Sequence, residues 1–243
     1  ENNLKFIKEY CQKTGLSPWH GPKKEGFFRF LVVRKSFKTN QLLFNLVTTS
    51  TELERFDLKQ FAEFLVSLFG DRVAGLLHTT NDEVADRTIA TTGEIKLVYG
   101  EDKIVEELLG LNFEISMKSF FQTNPQSAEK LYSKVLEYAL ERKDTIDGHI
   151  VLDLFCGTGT IGQILASKSD NAQIVGVDIV ESAIKDAREN ASRNNISGLK
   201  FHASDVGKFL KEHPEYQNKI GTVILDPARA GVAPKTLKKI IDL

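Results

Sequence analysis

Cysteines and long apolar runs are both scarce in this chain of 243 residues. Its two cysteines, Cys11 and Cys156, are far apart in the sequence, so they predict no disulfide framework and favour a reducing compartment such as the cytoplasm. No apolar run approaches the roughly 20 residues that cross a bilayer, and no basic stretch followed by an apolar segment marks a signal peptide. We therefore expect a soluble, cytoplasmic protein with no membrane partner.

Metal-binding patterns and an excess of either charge are also missing. The five histidines show no i, i+4 pairing and no close spacing to a cysteine, so the sequence predicts no metal site. Lys and Arg together number 32 and Asp and Glu 33, which gives a formal net charge of -1. A near-neutral chain is not typical of proteins whose whole surface coats nucleic acid, although it is compatible with a local basic face.

Apolar residues make up 41% of the chain, which is enough for one large domain or two ordinary ones. The first part, residues 1–117, mixes two helical patterns with several β-prone runs and predicts an α+β domain. The helices are predicted at residues 2–14 and from Asp57 to Gly70. The strands are predicted at residues 27–35 and 41–48, which suggest a hairpin, and at residues 73–78, 94–99 and 111–116.

The second part, residues 118–243, alternates between strand and helix. Its first helix begins where Asn124 suits the N-cap and Pro125 the first helical position. The predicted apolar face of that helix consists of Leu131, Val135, Tyr138 and Ala139. Strands follow at residues 150–155, 174–179, 199–204 and 222–225, with helices at residues 160–168, at residues 181–195 and from Pro234. This alternation predicts a parallel, doubly wound sheet of the α/β class.

A glycine loop joins the first of these strands to the next helix and predicts a nucleotide site. Gly157, Gly159 and Gly162 leave room for a ligand beside the backbone, and Asp178 ends the following strand, about 20 residues further on. A carboxylate in that place accepts hydrogen bonds from both ribose hydroxyls of a bound nucleoside. The same glycine spacing fits a dinucleotide fingerprint, so a nicotinamide-dependent oxidoreductase is an alternative.

Three acidic positions favour a methyltransferase over that alternative. Asp153 precedes the glycine loop, where methyltransferases commonly place an acid near the methionine end of their cofactor. Asp205 follows the third strand and suits the adenine amino group. Asp226 opens the segment Asp-Pro-Ala-Arg-Ala-Gly after the fourth strand, at the carboxyl edge of the sheet, where doubly wound folds bind ligands.

The segments Phe-Phe-Gln-Thr-Asn at residues 120–124, Asp153 to Gly162 and Asp226 to Gly231 together resemble the RNA uracil-C5 methyltransferase family, which modifies ribosomal and transfer RNA in bacteria. The resemblance implies a Rossmann-like class I methyltransferase domain with an incomplete sheet and S-adenosyl-L-methionine as cofactor. With the glycine loop, it predicts that the cofactor site is lined by Gln122, Phe155, Gly157, Gly159, Thr160, Asp178, Asp205 and Asp226. It also implies that Gln122 and Asp226 lie near the flipped uracil.

The same resemblance implies covalent catalysis, in which a cysteine adds to carbon 6 of uracil so that carbon 5 becomes nucleophilic. The family's nucleophilic cysteine and its general-base glutamate are expected beyond Leu243, so we expect no catalytic residue within the chain and no methyl transfer by this fragment. Cys156 lies at the cofactor loop and is predicted to face that loop or the helix packing. An iron–sulfur centre, found in many members of the family, would precede Glu1.

The resemblance predicts methylation of carbon 5 of a uridine in RNA, in 23S ribosomal RNA or in transfer RNA. A non-catalytic module that binds RNA or cofactor is a further alternative. Two interpretations apply to the basic residues of the first part. Arg29, Arg34, Lys35 and Lys38 alternate with Phe28, Phe30 and Phe37, which suits contacts to phosphates and bases. The other interpretation, which we favour, is a solvated hairpin rim over a phenylalanine core.

Overall fold

The computed structural model describes residues 2–84, 94–169 and 171–243. The chain divides into two compact units, of which the first contains Glu1–Glu106 and Ile115–Lys118 and the second Glu107–Glu114 and Ser119–Leu243. The division therefore differs from a single boundary after residue 117, because the eight residues from Glu107 to Glu114 group with the second unit.

The first unit contains a four-stranded mixed sheet with helices in its connections. The elements up to this sheet's last strand are α1 (Asn2–Lys13), β1 (Phe28–Lys35), β2 (Leu42–Thr48), α2 (Leu58–Phe69), β3 (Val73–Thr80) and β4 (Ile95–Gly100). The strand order is β1-β2-β3-β4. β1 and β2 pair antiparallel, which confirms the predicted hairpin, whereas β2 and β3 are parallel because α2 connects them.

Helix α2 has the ends that its sequence predicts. The Asp57 carboxylate accepts hydrogen bonds from the backbone N–H groups of Lys59 and Gln60, so it caps the helix. At the other end Gly70 has φ of 61°, a conformation that favours glycine. Phe61 and Leu65 are fully buried on the inner face of α2 and pack in a core rich in phenylalanine.

A strand that the sequence analysis missed precedes the last predicted strand of this part. It is β5 (Lys103–Leu108), which pairs with β6 (Leu111–Ser116) in a two-stranded sheet. The inward face of β5 consists of Ile104, Glu106 and Leu108, all buried. The Glu106 carboxylate accepts hydrogen bonds from the backbone N–H groups of Phe37 and Lys38. A buried glutamate interrupts the apolar alternation, and for that reason the pattern did not indicate a strand.

The second unit contains a parallel sheet of four strands, which confirms the predicted α/β fold. Its elements are α3 (Pro125–Glu141), β7 (Ile150–Leu154), α4 (Thr160–Ala166), β8 (Gln173–Asp178), α5 (Glu181–Arg193), β9 (Leu199–Ala203), α6 (Val206–Glu212), β10 (Ile220–Leu225) and α7 (Pro234–Ile241). The strand order is β10-β7-β8-β9. Helix α6 was not predicted, because it spans only seven residues and contains Gly207.

The direction of the chain reverses between β7 and β10. From β7 the sheet grows through β8 to β9 on one side, and β10 then pairs on the other side of β7. Loops leaving the carboxyl ends of β7 and β10 therefore diverge and open a crevice, which is where doubly wound sheets bind ligands. Within the described ranges β10 pairs only with β7, so it is an edge strand.

The apolar face predicted for α3 needs correction. The Asn124 cap is confirmed, since its side chain accepts from the N–H of Ser127 and Pro125 follows it. The buried residues of α3, however, are Ala128, Tyr132, Leu136 and Ala139, whereas Leu131 is 50% and Tyr138 62% exposed. Two apolar stripes run along this helix, and the one packed in the core contains Tyr132. The other lines a groove beside β10.

Candidate cofactor site

At two positions, the glycine loop after β7 leaves no room for a side chain. Strand β7 ends at Leu154, one residue earlier than predicted, because Phe155 has a φ of 61°. Gly159 has a φ of 68°, and a Cβ atom there would lie 2.5 Å from the Phe201 ring. A Cβ atom on Gly162 would lie 2.9 Å from Asp153 Oδ2. Gly159 and Gly162 therefore serve close packing, and the predicted loop is tightly folded.

Asp178 lies beside this loop and holds it to the next strand. Its Oδ2 accepts a hydrogen bond of 2.9 Å from the N–H of Gly157, and its Oδ1 accepts one of 2.8 Å from the N–H of Val180. Asp178 is half-buried, and each oxygen of a carboxylate has a second lone pair for a ligand hydroxyl. The structure thus brings together Gly157 and Asp178, two residues that the sequence predicted for one site.

An apolar surface next to Asp178 was missed by the sequence analysis. Ile179 is 70% exposed and Val180 50%, although both are large aliphatic residues. They immediately follow the carboxylate at the end of β8 and precede α5. Exposed aliphatic side chains beside a polar anchor are typical of a binding surface for a flat, partly apolar ligand. Their position after Asp178 is the signal from which the sequence could have predicted them.

Asp205 lies at the same edge of the sheet, two residues after β9. The edge is shared because Asp178 pairs with Ala203, the last residue of β9, and the backbone of Ser204 donates to the Asp178 carbonyl. One oxygen of the Asp205 carboxylate caps α6 by accepting from the N–H of Lys208 at 2.9 Å. The predicted cofactor residue is therefore also a helix cap, and its exposed side chain keeps a second oxygen for a ligand.

Asp153 is the most deeply buried charge-bearing group of the site, with 1% of its surface exposed. Its Oδ2 accepts a hydrogen bond of 3.0 Å from the N–H of Gly162. Its Oδ1 is buried and, among the described residues, has no hydrogen-bond partner. Burial, with the negative charges of Asp226 and Asp178 nearby, raises the pKa of Asp153 to about 7. A buried acceptor without a partner is destabilising unless a ligand donates to it.

A tyrosine that the sequence analysis did not select, Tyr132, lies in the field of Asp153 and Asp226. Tyr132 is buried on α3, and the predicted cofactor residue Gln122 is half-buried in the loop before that helix. Burial and the negative charges of Asp226 and Asp153 raise the pKa of Tyr132 to about 12. The phenol is therefore neutral at physiological pH, and Asp226 is exposed directly after β10.

The remaining predicted residues lie at or after the end of β7. Phe155 is half-buried and packs on the core between β7, β8 and α6. Thr160 is buried at the first position of α4, and its hydroxyl lies 3.1 Å from that of Thr158. Cys156 is half-buried against Ala187 and Phe201 of the α5 and β9 layer. Burial and the charges of Asp153 and Asp178 raise the pKa of the Cys156 thiol far above its usual range.

The basic residues of the first unit fit the interpretation that we favoured, a solvated hairpin rim, better than a surface for RNA. Arg29 donates to the carbonyl and side-chain oxygens of Asn81 and lies over the Trp19 ring, 4.7 Å from its centre. Arg34 donates to the Met117 carbonyl at 3.2 Å and is half-buried. These two arginines therefore have structural partners. Lys35 and Lys38 are exposed, and this arrangement agrees with the hairpin rim over a phenylalanine core.

No group of three or more His, Cys, Asp or Glu side chains lies close enough to hold a metal ion in residues 2–84, 94–169 and 171–243. Within the same ranges, no helix has the length and hydropathy that a bilayer crossing requires.

Similar proteins extend these observations. Residues 146–243 match the family model described as a methyltransferase domain. A Clostridium tetani protein named as an uncharacterized RNA methyltransferase is 40% identical over 241 residues, covering 99% of this chain and 50% of the relative. A Caldanaerobacter subterraneus protein of the same description is 42% identical, covering 98% of this chain and 50% of the relative. This chain thus spans about half the length of the curated relatives it matches.

A solved structure has the same fold over both units. It is the crystal structure of Pyrococcus abyssi tRNA (uracil-54, C5)-methyltransferase in complex with S-adenosyl-L-homocysteine. Its TM-score is 0.76 and its sequence is 29% identical, and the match covers 98% of this chain and 53% of that chain.

Proposed function

This chain is homologous over almost its whole length to proteins named RNA methyltransferases, and from that premise we propose that the whole protein transfers a methyl group from S-adenosyl-L-methionine to RNA. The observation that carries the proposal is the convergence of the glycine loop, Asp178 and the unpartnered oxygen of Asp153 at the carboxyl edge of one parallel sheet. That edge is the ligand-binding position of doubly wound folds.

The nucleoside half of the cofactor fits the residues at the ends of β8 and β9. Asp178 would accept hydrogen bonds from the ribose hydroxyls through the lone pairs that Gly157 and Val180 leave open. Ile179 offers an exposed apolar surface for the adenine ring, and the second oxygen of Asp205 would accept from its amino group. These carboxylates suit the hydroxyl and amino groups of a nucleoside. They do not suit a phosphate group, because carboxylates and phosphates are both negatively charged.

The amino-acid half fits the acceptors around Asp153. Its ammonium group is a cationic donor, and Asp153 Oδ1 is a buried acceptor that has no partner among the described residues. The negative charges of Asp178 and Asp226 would stabilise a positive charge and repel a pyrophosphate, and an ammonium group beside Asp153 would favour the ionised form of that carboxyl. This charge pattern favours S-adenosylmethionine over the nicotinamide cofactor, whose pyrophosphate is anionic.

We propose carbon 5 of a uridine, in ribosomal or transfer RNA, as the methyl acceptor. Support comes from the Pyrococcus abyssi neighbour, which is named for that chemistry, and from the Phe-Phe-Gln-Thr-Asn and Asp-Pro-Ala-Arg-Ala-Gly segments. The cofactor, when bound, supplies the methyl group from its sulfonium. Carbon 5 accepts it only after a nucleophile has added to carbon 6. We propose that this nucleophile, a cysteine, and the general base lie beyond Leu243.

Calorimetry on the full-length protein tests the cofactor assignment. S-adenosyl-L-homocysteine is titrated in one experiment and NAD in another, at the same pH and ionic strength. We expect saturable binding of S-adenosyl-L-homocysteine and none of NAD. Binding of NAD alone would replace the proposal by a nicotinamide-dependent reaction. The RNA assignment is tested separately by mapping 5-methyluridine in ribosomal and transfer RNA from cells that lack the gene, where one site is expected to lose its methyl group.

A further inference from the structure

The segment that follows β10 concentrates positive charge. Residues 227–241 contain four cationic residues, Arg229, Lys235, Lys238 and Lys239, and no Asp or Glu. Because the whole chain has a formal net charge of -1, these four charges leave -5 for the remaining residues. All four cationic residues are exposed. Residues 227–241, which we call the basic segment, are therefore a local basic face on a near-neutral chain.

Two of these cations are explained by the fold. Lys239 Nζ donates a hydrogen bond of 2.8 Å to the carbonyl oxygen of Gly207 in α6, so it ties α7 to its neighbouring helix. Lys238 and Lys239 both lie in the last turn of α7, where the helix dipole favours a positive charge. Both lysines therefore have a structural role that requires no ligand.

The other two cations, Arg229 and Lys235, have no such role. Arg229 is a central residue of a turn closed by a 2.8 Å hydrogen bond from the Gly231 N–H to the Ala228 carbonyl. Lys235 lies in the first turn of α7, where the helix dipole disfavours a cation, and four residues before Lys239, a spacing at which like charges repel. Neither side chain forms a salt bridge or a hydrogen bond with any residue that the structure describes.

The basic segment begins beside the proposed cofactor site. Asp226 directly follows β10 at the carboxyl edge of the sheet, and Arg229 is three residues further, a span of at most roughly 11 Å. The carboxylates of Asp178, Asp205 and Asp226 at this edge would repel a phosphate. A nucleotide whose base leaves the RNA stack and enters here must keep its phosphates outside the acidic site. The exposed cations lie on that side of β10.

We propose that Arg229 and Lys235 bind phosphates of the RNA backbone next to the nucleotide that is methylated. The inference rests on the proposed function, since it assumes that RNA is the substrate. The Arg229 guanidinium matches a phosphate with two parallel N–H donors, and Lys235 supplies a point charge. Contacts of this kind fix the position of the RNA but do not read its sequence. The two residues therefore set where the RNA lies.

The salt dependence of RNA binding tests the proposal, because each phosphate contact releases counterions. The full-length protein and its Arg229→Ala, Lys235→Ala and doubly substituted variants are titrated with a fluorescent oligouridylate at four KCl concentrations. Each single substitution should make the slope of log K against log [KCl] less negative by about 0.7, and the double substitution by about 1.4. Arg229→Lys keeps the charge and should keep the slope.

The matched control is Lys185→Ala on α5, which removes an exposed lysine 3.8 Å from Glu189 and should leave the slope unchanged. Calorimetry with S-adenosyl-L-homocysteine on the same variants should give the wild-type affinity. Wild-type slopes in both Arg229→Ala and Lys235→Ala would overturn this inference, as would a wild-type protein that binds no oligouridylate. If the wild type bound no S-adenosyl-L-homocysteine, the cofactor assignment would fail, and the slopes would still decide the phosphate contacts.

Discussion

The Asp178 carboxylate accepts a 2.9 Å hydrogen bond from the N–H of Gly157, 21 residues earlier in the chain. One side chain at the end of β8 thereby fixes the glycine loop that follows β7. The proposed cofactor site and the conformation of this loop therefore depend on the same residue. Substitutions at Asp178 need a variant that separates the two effects.

We predict that Asp178→Ala weakens binding of S-adenosyl-L-homocysteine by at least about a hundredfold, because charge-assisted bonds to two hydroxyls contribute roughly 1.5 to 3 kcal/mol each. Asp178→Asn keeps an acceptor for Gly157 and should show a smaller loss. Calorimetry on the full-length protein measures both. Glu181→Ala, which removes an exposed charge three residues later, is the control and should bind normally. Wild-type affinity in Asp178→Ala would show that the ribose lies elsewhere.

We predict that the Asp153 carboxyl group strengthens cofactor binding but lowers the free energy of unfolding of the cofactor-free protein. Its folded pKa is raised to about 7 from 3.8, so the folded state holds a proton that the unfolded state has lost. The free energy of unfolding therefore falls as pH rises from about 4 to 7. Asp153→Asn removes this effect, so thermal unfolding without cofactor should show a stabilisation that is larger at pH 8 than at pH 5.

The same variant should bind S-adenosyl-L-homocysteine less tightly, because the amide places no negative charge beside the ammonium group. Higher melting temperature with lower affinity is the expected combination. If Asp153→Asn lowered the melting temperature equally at pH 5 and pH 8, the carboxyl group would be a structural hydrogen-bond partner of Gly162 and not a ligand group.

Gln122→Ala is predicted to lower methyl transfer at least about tenfold while the melting temperature changes little, because Phe121 and Asn124 hold the loop independently of this side chain. Methyl transfer to RNA and thermal unfolding are measured on the same preparation. Gln126→Ala, an exposed position in the first turn of α3, is the control. Parallel losses of activity and stability would assign Gln122 a structural role.

Cys156 is predicted not to be the nucleophile. Burial and two nearby carboxylates keep its thiol protonated, and the thiol is a poor nucleophile compared with the thiolate. In the full-length protein Cys156→Ala should retain most of its activity and still form a denaturation-resistant adduct with RNA that contains 5-fluorouridine. The 243-residue chain should form no adduct. An adduct on that chain which disappears with Cys156→Ala would reverse this assignment.

Because His78 is buried, we predict that the stability of the first unit depends on pH. Its Nε2 lies 2.9 Å from the Thr48 hydroxyl, and burial, with a smaller effect of Lys96, lowers its pKa to about 4. The unfolded chain gains a proton near pH 6.5, so the free energy of unfolding should fall by up to about 3 kcal/mol as pH drops from 6.5 to 4. Urea unfolding of the wild type and His78→Asn between pH 7 and 4.5 measures the difference. An equal slope in both proteins would contradict the prediction.

Local sequence patterns predicted the parts of the fold whose signals are themselves local. The start of helix α2 after Asp57, the Asn124 cap, the β1–β2 hairpin and the four parallel strands are all present. The patterns could not predict which of several apolar faces the tertiary structure buries. Helix α3 has two apolar stripes, and only packing decides that Tyr132 is inside and Tyr138 outside. Strand β5 was missed because Glu106 points inward and accepts hydrogen bonds from two N–H groups that lie 69 and 68 residues earlier in the chain.

For the candidate site, too, local patterns predicted some residues, and contacts between distant residues determined the others. Asp178 and the glycine loop could be predicted because the strand–loop–helix order specifies their proximity. Arg29 and Arg34 looked available for RNA, yet their partners Asn81 and Met117 are distant in sequence. Tyr132 had no motif to indicate it, since only the packing of α3 decides that its ring is buried.

The most direct test is transfer of a labelled methyl group to RNA. The full-length protein is incubated with S-adenosyl-L-methionine carrying a trideuterated methyl group and with total RNA from cells that lack the gene, and the digested nucleosides are analysed by mass spectrometry. We predict trideuterated 5-methyluridine at one site of ribosomal or transfer RNA, and much less of it with Asp178→Ala when the cofactor is below saturation. Label confined to another nucleoside, or no label in RNA although S-adenosyl-L-homocysteine binds, would contradict it.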